Sequence, residues 1–75
     1  MTNLPIISGK RLLKVLLKIG FVVIRQKGSH VFVEDKTRSL RTVIPIHSNE
    51  DLGKGLLRTI LNDLNLTVEE FIKLL

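Results

Sequence analysis

The stretch Phe21-Val22-Val23-Ile24-Arg25-Gln26-Lys27-Gly28-Ser29-His30-Val31-Phe32-Val33-Glu34 decides the fold. Phe21 to Gln26 is rich in β-branched and aromatic residues, which suit a pleated surface, and His30 to Glu34 has the same character. Lys27-Gly28 supplies a turn between them, so the two runs predict a β-hairpin. After the polar, turn-like segment Asp35 to Ser39, Leu40 to Ile44 reads as a third strand. Pro45 ends it, because proline has no amide hydrogen for a ladder. The expectation is a three-stranded antiparallel meander.

Helices flank the meander. Ser8 is a good N-cap, and Gly20 a good residue for leaving a helix through the left-handed region. Between them Leu12, Leu13, Val15, Leu16, Leu17 and Ile19 crowd one side, while Lys10, Arg11, Lys14 and Lys18 share the other. Downstream, Ser48, Asn49, Glu50 and Asp51 offer caps and first-turn carboxylates for a second helix, although Gly53 and Gly55 weaken its opening turns. Its residues Leu56, Leu57, Ile60, Leu61 and Leu64 have the spacing of one buried stripe. Thr67 and Glu70 have capping-box spacing, which predicts a short third helix over 67–75 carrying Phe71, Ile72, Leu74 and Leu75.

The expected class is therefore α+β, in the order α-β-β-β-α with a short C-terminal helix. Both amphipathic helices cover one face of the three-stranded antiparallel sheet and leave the other comparatively open. This is the layout of a double-stranded-RNA-binding-type domain, which carries no function by itself. No linker, repeat or low-complexity segment divides residues 1–75, so one domain is expected. At this size only about 60% of the unfolded surface is buried, which leaves a marginal core.

The charge is asymmetric. Lys and Arg number 12 against 7 Asp and Glu, a net charge of +5, and no acidic residue precedes Glu34. A polyanion such as nucleic acid is the natural partner, because each neutralised phosphate releases condensed counterions; the competing reading is a solvated basic face. The absence of cysteine excludes disulfides, thiolate metal sites and a thiol nucleophile, and fits a reducing compartment. No signal-peptide pattern is present, and no apolar run approaches the roughly 18 residues of a membrane span. The expectation is a cytoplasmic protein with no membrane partner.

His30 and His47 stand far apart in the chain with no neighbouring ligand at compact spacing, so no metal site is assigned. A Ser29–His30 nucleophile pair is disfavoured, because adjacent strand residues point to opposite faces. What remains is an imidazole at the start of a strand, beside a glycine turn, near Arg25 and Lys27. Lone histidines beside turns are more often exposed or structural, yet this setting also suits phosphate chemistry. RNA carries its own nucleophile, the 2′-hydroxyl. An imidazole removes that proton, and Lys or Arg stabilises charge on the phosphorane. No metal or small-molecule cofactor is required.

The segments Gly20-Phe21, Arg25-Gln26-Lys27-Gly28-Ser29-His30, Pro45-Ile46-His47-Ser48 and Lys54-Gly55-Leu56-Leu57-Arg58-Thr59-Ile60-Leu61 together resemble the HicA family of toxins over nearly the whole chain. The resemblance implies a type II toxin that cleaves mRNA, adopts a double-stranded-RNA-binding-like fold and is held inactive by a HicB-like antitoxin. The family's catalytic histidine lies in its Gly-Ser-His segment, which implies His30 here. Gly28 permits the turn and a close phosphate approach. Ser29 hydrogen-bonds RNA or fixes the turn, and His47 touches RNA, caps the following segment or does neither. Arg25 and Lys27 stabilise phosphate charge, although alternating strand directions are expected to let only one of them face His30. Lys54 and Arg58, one helical turn apart, anchor the RNA backbone or face water. No second acid is assigned.

Two function classes compete: a metal-independent endoribonuclease toxin using His30, and a non-catalytic RNA-binding module on the same fold. A DNA-binding reading is weaker, because no helix-turn-helix geometry is evident.

Overall fold

A computed structural model of the chain describes residues 3–48 and 50–75. The elements are α1 (Gly9–Lys18), β1 (Val22–Lys27), β2 (His30–Asp35), β3 (Leu40–Pro45), α2 (Lys54–Asp63) and α3 (Val68–Leu74). The strands form one antiparallel sheet in the order β1-β2-β3. Helices cover one of its faces, as expected of an α+β double-stranded-RNA-binding-type layout.

The ends of α1 follow from local chemistry. Ser8 Oγ accepts from the Arg11 amide at 3.1 Å, which satisfies one of the orphan donors of the first turn. At the other end Gly20 has φ +109°, and the Phe21 amide donates back to the Leu16 carbonyl at 3.0 Å. Phe21 consequently closes the helix with its side chain buried, and β1 begins one residue later than the apolar run suggested.

Leu12, Val15 and Leu16 of α1 are buried, but Leu17 is 45% exposed, against expectation. At 100° per residue Leu17 lies about 140° around the axis from Leu12, outside any single buried stripe. On α2 the same correction applies to Leu56, which is 40% exposed, while Leu57, Ile60 and Leu61 are buried.

The start of α2 also differs from the sequence expectation. Its N-cap is Gly53, which has no side chain to offer, and none of Ser48, Glu50 and Asp51 caps it; Asn49 lies outside the described residues. The reason is tertiary. Asp51 bridges to Ser8, and the Leu52 amide donates to the Ile7 carbonyl at 2.8 Å, so this segment is held extended beside the N-terminal stretch before the helix begins. By contrast the capping box of α3 forms as its spacing predicts. Thr67 Oγ1 accepts from the Glu70 amide at 3.1 Å, and Glu70 Oε1 accepts from the Thr67 amide at 2.9 Å. The hydrogen bond that its carboxylate accepts from the Thr67 amide is the main reason Glu70 lies below the usual carboxylate range.

Val31, Val33 and Ile44 on the inner face of the sheet meet Leu12, Leu16, Leu57, Ile60, Leu61 and Phe71 from the helices. Thr42 Oγ1 donates to Asp63 Oδ2 at 3.1 Å and ties β3 to the end of α2. Gly9, the first residue of α1, is buried against the carbonyl of Pro45 at the end of β3. The edge strand β1 is exposed along its whole length. Asp35, at the end of β2, accepts from the Thr37 amide at 3.0 Å and from Arg38 Nε at 2.7 Å, and Arg38 in turn lies 5.6 Å from the Phe21 ring. Its side-chain bond with Arg38 is the main reason its carboxyl lies below the ordinary aspartate range. Among the described residues no helix is long and apolar enough to cross a membrane.

Candidate functional site

Lys27 pairs with His30, so the turn consists of Gly28-Ser29, one residue later than Lys27-Gly28. Gly28 has φ +59°, whereas Ser29 is not in the positive region, the pattern of a type II′ hairpin turn. Gln26 Nε2 donates to the Gly28 carbonyl at 3.2 Å and braces the turn. A Cβ added at Gly28 would meet nothing within 4 Å. The glycine is therefore required by its backbone conformation, and the space above it is open to solvent.

The register decides which side chains share a face, because directly opposed residues of an antiparallel pair project to the same side. Along β2, Val31 and Val33 point into the core, so His30, Phe32 and Glu34 project onto the open face. Lys27 lies opposite His30 and Arg25 opposite Phe32 on β1; Pro45, Val43 and Arg41 oppose the same three residues on β3. Arg25 and Lys27 thus both lie on the face of His30, contrary to the expectation that only one does. Residues two apart in a strand share a side, and the β1 bulge, between Val23 and Arg25, falls before both of them.

His30 is exposed at the end of this face. Arg41 is engaged by Glu34 in a 2.5 Å ion pair, which leaves Arg25 and Lys27 as the cations next to the imidazole. The Arg25 guanidinium sits 5.0 Å from the centroid of the half-buried Phe32 ring. No carboxylate stands across from His30. The nearest one along β2 on the same side, Glu34, is four residues and therefore about 13 Å away, and is turned to Arg41.

The Ile46 amide donates to the Ser29 carbonyl at 2.7 Å, which carries β2–β3 pairing past the strand ends and draws the His47 segment to the turn. His47 is exposed and lines a shallow recess of about 220 Å³ with Pro45, Glu50, Asp51 and Gly53. Lys54 and Arg58 are exposed on α2, in the helix layer behind the sheet. The structure therefore brings Arg25, Lys27, Gly28, Ser29, His30 and the His47 segment together, and leaves Lys54 and Arg58 on a different layer. Among the described residues no three of His, Cys, Asp or Glu are grouped to hold a metal ion.

A larger apolar cleft, about 480 Å³, lies between the three strands and α2; Ile24, Phe32, Thr42, Val43, Leu56 and Thr59 are among the residues that line it, and His30 is not. The open sheet face, rather than this cleft, carries the imidazole and its two neighbouring cations. Phe32 was not singled out by the sequence reading. The signal was present: with His30 taken as a surface residue, period-two alternation places Phe32 beside it.

Fold and site together define a small α+β domain of double-stranded-RNA-binding layout with a cationic, imidazole-bearing open sheet face. The family model described as HicA toxin of bacterial toxin-antitoxin matches residues 9–66. The chain belongs to the HicA toxin family, whose members act within toxin–antitoxin pairs. No curated protein and no solved structure matches it.

Proposed function

We propose that this chain is a metal-independent endoribonuclease toxin that cleaves mRNA with His30 as general acid/base, and that a HicB-like antitoxin inhibits it by covering the basic open face. The observation that carries the reading is the placement of an exposed His30 between the Gly28-Ser29 turn and the two cations Lys27 and Arg25 on one open face. Family membership supports the toxin role and an antitoxin partner.

In the proposed reaction the neutral imidazole takes the proton of a 2′-hydroxyl, and the freed oxygen attacks the adjacent phosphorus. The bond from phosphorus to the 5′-oxygen breaks, and that oxygen takes up a proton. The products are a 2′,3′-cyclic phosphate and a 5′-hydroxyl end. Lys27, directly across from His30, and Arg25 stabilise charge on the phosphorane. Gly28 and Ser29 give the phosphate a close approach, His47 contacts the RNA beyond the turn, and Lys54 and Arg58 hold its backbone where it leaves the sheet.

The test is incubation of purified protein with RNA, with and without chelator, followed by analysis of the new ends. Cyclic-phosphate and 5′-hydroxyl ends that persist in chelator and vanish in a folded His30→Ala variant are expected. Cleavage by that variant at the wild-type rate refutes the role of His30. The lack of a carboxylate opposite His30 favours the second reading, a non-catalytic RNA-binding module, which predicts binding with no new ends under any condition.

A further inference from the structure

Phe32 stands on the open face two positions from His30, flanked by Arg25 on β1 and Val43 on β3. A half-buried aromatic ring on the solvent side of a sheet retains apolar surface in contact with water, although a core lies one residue away on either side. The Arg25 guanidinium over that ring makes a continuous patch of aromatic and planar cationic surface.

Resting on the nuclease reading above, we infer that Phe32 and Arg25 form a stacking platform for an unpaired RNA base, that of the nucleotide next to the phosphate presented to His30. Two residues of strand span about 7 Å, within the reach of a base from its neighbouring phosphate. Aromatic rings and guanidinium planes both stack on bases, and every base has a π-face to offer. Arg25 serves twice, since its plane stacks while its charge meets the backbone. A duplex cannot use this platform. Its bases are already stacked and paired, and it presents only phosphates, 2′-hydroxyls and groove edges to a protein. The substrate at this face is accordingly single-stranded.

A purely structural role would have the Arg25–Phe32 contact hold the edge strand β1 in place. The two roles are separable, because the chain contains no tryptophan or tyrosine and a Phe32→Trp substitution introduces a single emitter into the platform. The experiment uses the full chain in a His30→Ala background, to prevent cleavage, and a short mixed-sequence RNA as a single strand or annealed to its complement. Indole emission of Phe32→Trp should be quenched by the single strand and not by the duplex. Phe32→Leu, checked as folded by thermal denaturation, should bind the single strand about ten-fold or more weakly. Its salt dependence should be unchanged, because no phosphate contact has been removed.

Phe32→Leu binding the single strand as tightly as its parent overturns the inference. So does indole emission that ignores saturating RNA, and this second readout decides the matter if Phe32→Leu fails to fold. RNA binding that depends on Phe32, in a protein whose unmodified form yields no cyclic-phosphate ends, sinks the nuclease reading and leaves the platform standing. A parent protein that binds no RNA removes both.

Discussion

Replacing Gly9 by alanine tests how the helix layer is seated on the functional end of the sheet. Gly9 opens α1 and lies buried against the end of β3. An added methyl group would fall well inside van der Waals contact distance of the Pro45 carbonyl oxygen, with the Pro45 carbonyl carbon at 3.2 Å and Ile44 Cγ2 at 3.4 Å. The principal obstacle is backbone, which no rotamer change relieves, so α1 or the end of β3 must shift. Overpacking of this kind costs about 1–3 kcal/mol. In a domain of this size each kcal/mol moves the melting temperature by about 4–8 °C, so a fall on the order of 5–20 °C is expected. The comparison variant is Gly55→Ala. A Cβ there meets nothing within 4 Å, and helix propensity alone should raise stability by up to about 1 kcal/mol. Circular dichroism melts of the three proteins under one set of conditions provide the assay. A Gly9→Ala protein that melts at or above wild type, or two variants that shift in the same direction, would refute the proposed contact. Because Pro45 pairs with His30, the proposed RNA cleavage, measured well below the melting temperature, would report whether the strand or the helix has yielded.

Gly28→Ala should cost about 1–2 kcal/mol through its positive φ alone, since the space beside it is empty, and Gly28→Asn should cost less; thermal melts rank the pair. Asp35 is depressed by Arg38, so its contribution is present above the ordinary aspartate pKa and is lost as pH falls through the lower native value. Melting temperatures of wild type and Asp35→Asn should therefore differ at neutral pH and converge in acid, and a gap that widens toward acid would contradict that sign. Thr67→Ala removes the side-chain half of the α3 capping box and should cost about 1 kcal/mol in a denaturant titration, provided α3 unfolds together with the rest of the domain.

The elements most faithfully written in the sequence are those whose causes are short-range. Ser8 and Gly20 bracket α1 because a hydroxyl and a left-handed residue act within one turn of their own position. Thr67 and Glu70 meet because three residues of helix bring them together. Two runs rich in β-branched and aromatic residues around a glycine turn were enough to predict the hairpin, with His30 at the start of its second strand. The start of α2 was not legible in the same way. Four polar residues offer themselves as caps at 48–51, and only the bridge from Asp51 to Ser8, from a distant part of the chain, rules in favour of Gly53.

The candidate site divides along the same line. Gly28-Ser29-His30, the basic residues around it and the family resemblance are properties of the sequence, since each depends on residue type and near spacing. That Arg25 and Lys27 share the face of His30, that Phe32 joins them, and that Glu34 is turned to Arg41 are decided by strand register. Register is set by the burial of Val31, Val33 and Ile44 against the helices, and a shift of one residue would send every one of those side chains to the other side. Lys54 and Arg58 match the family's segment as well as Lys27 does, yet they lie in the helix layer behind the sheet. Sequence alone determined which groups are available; only the packing of helices against one face decided which of them share the open side of the sheet.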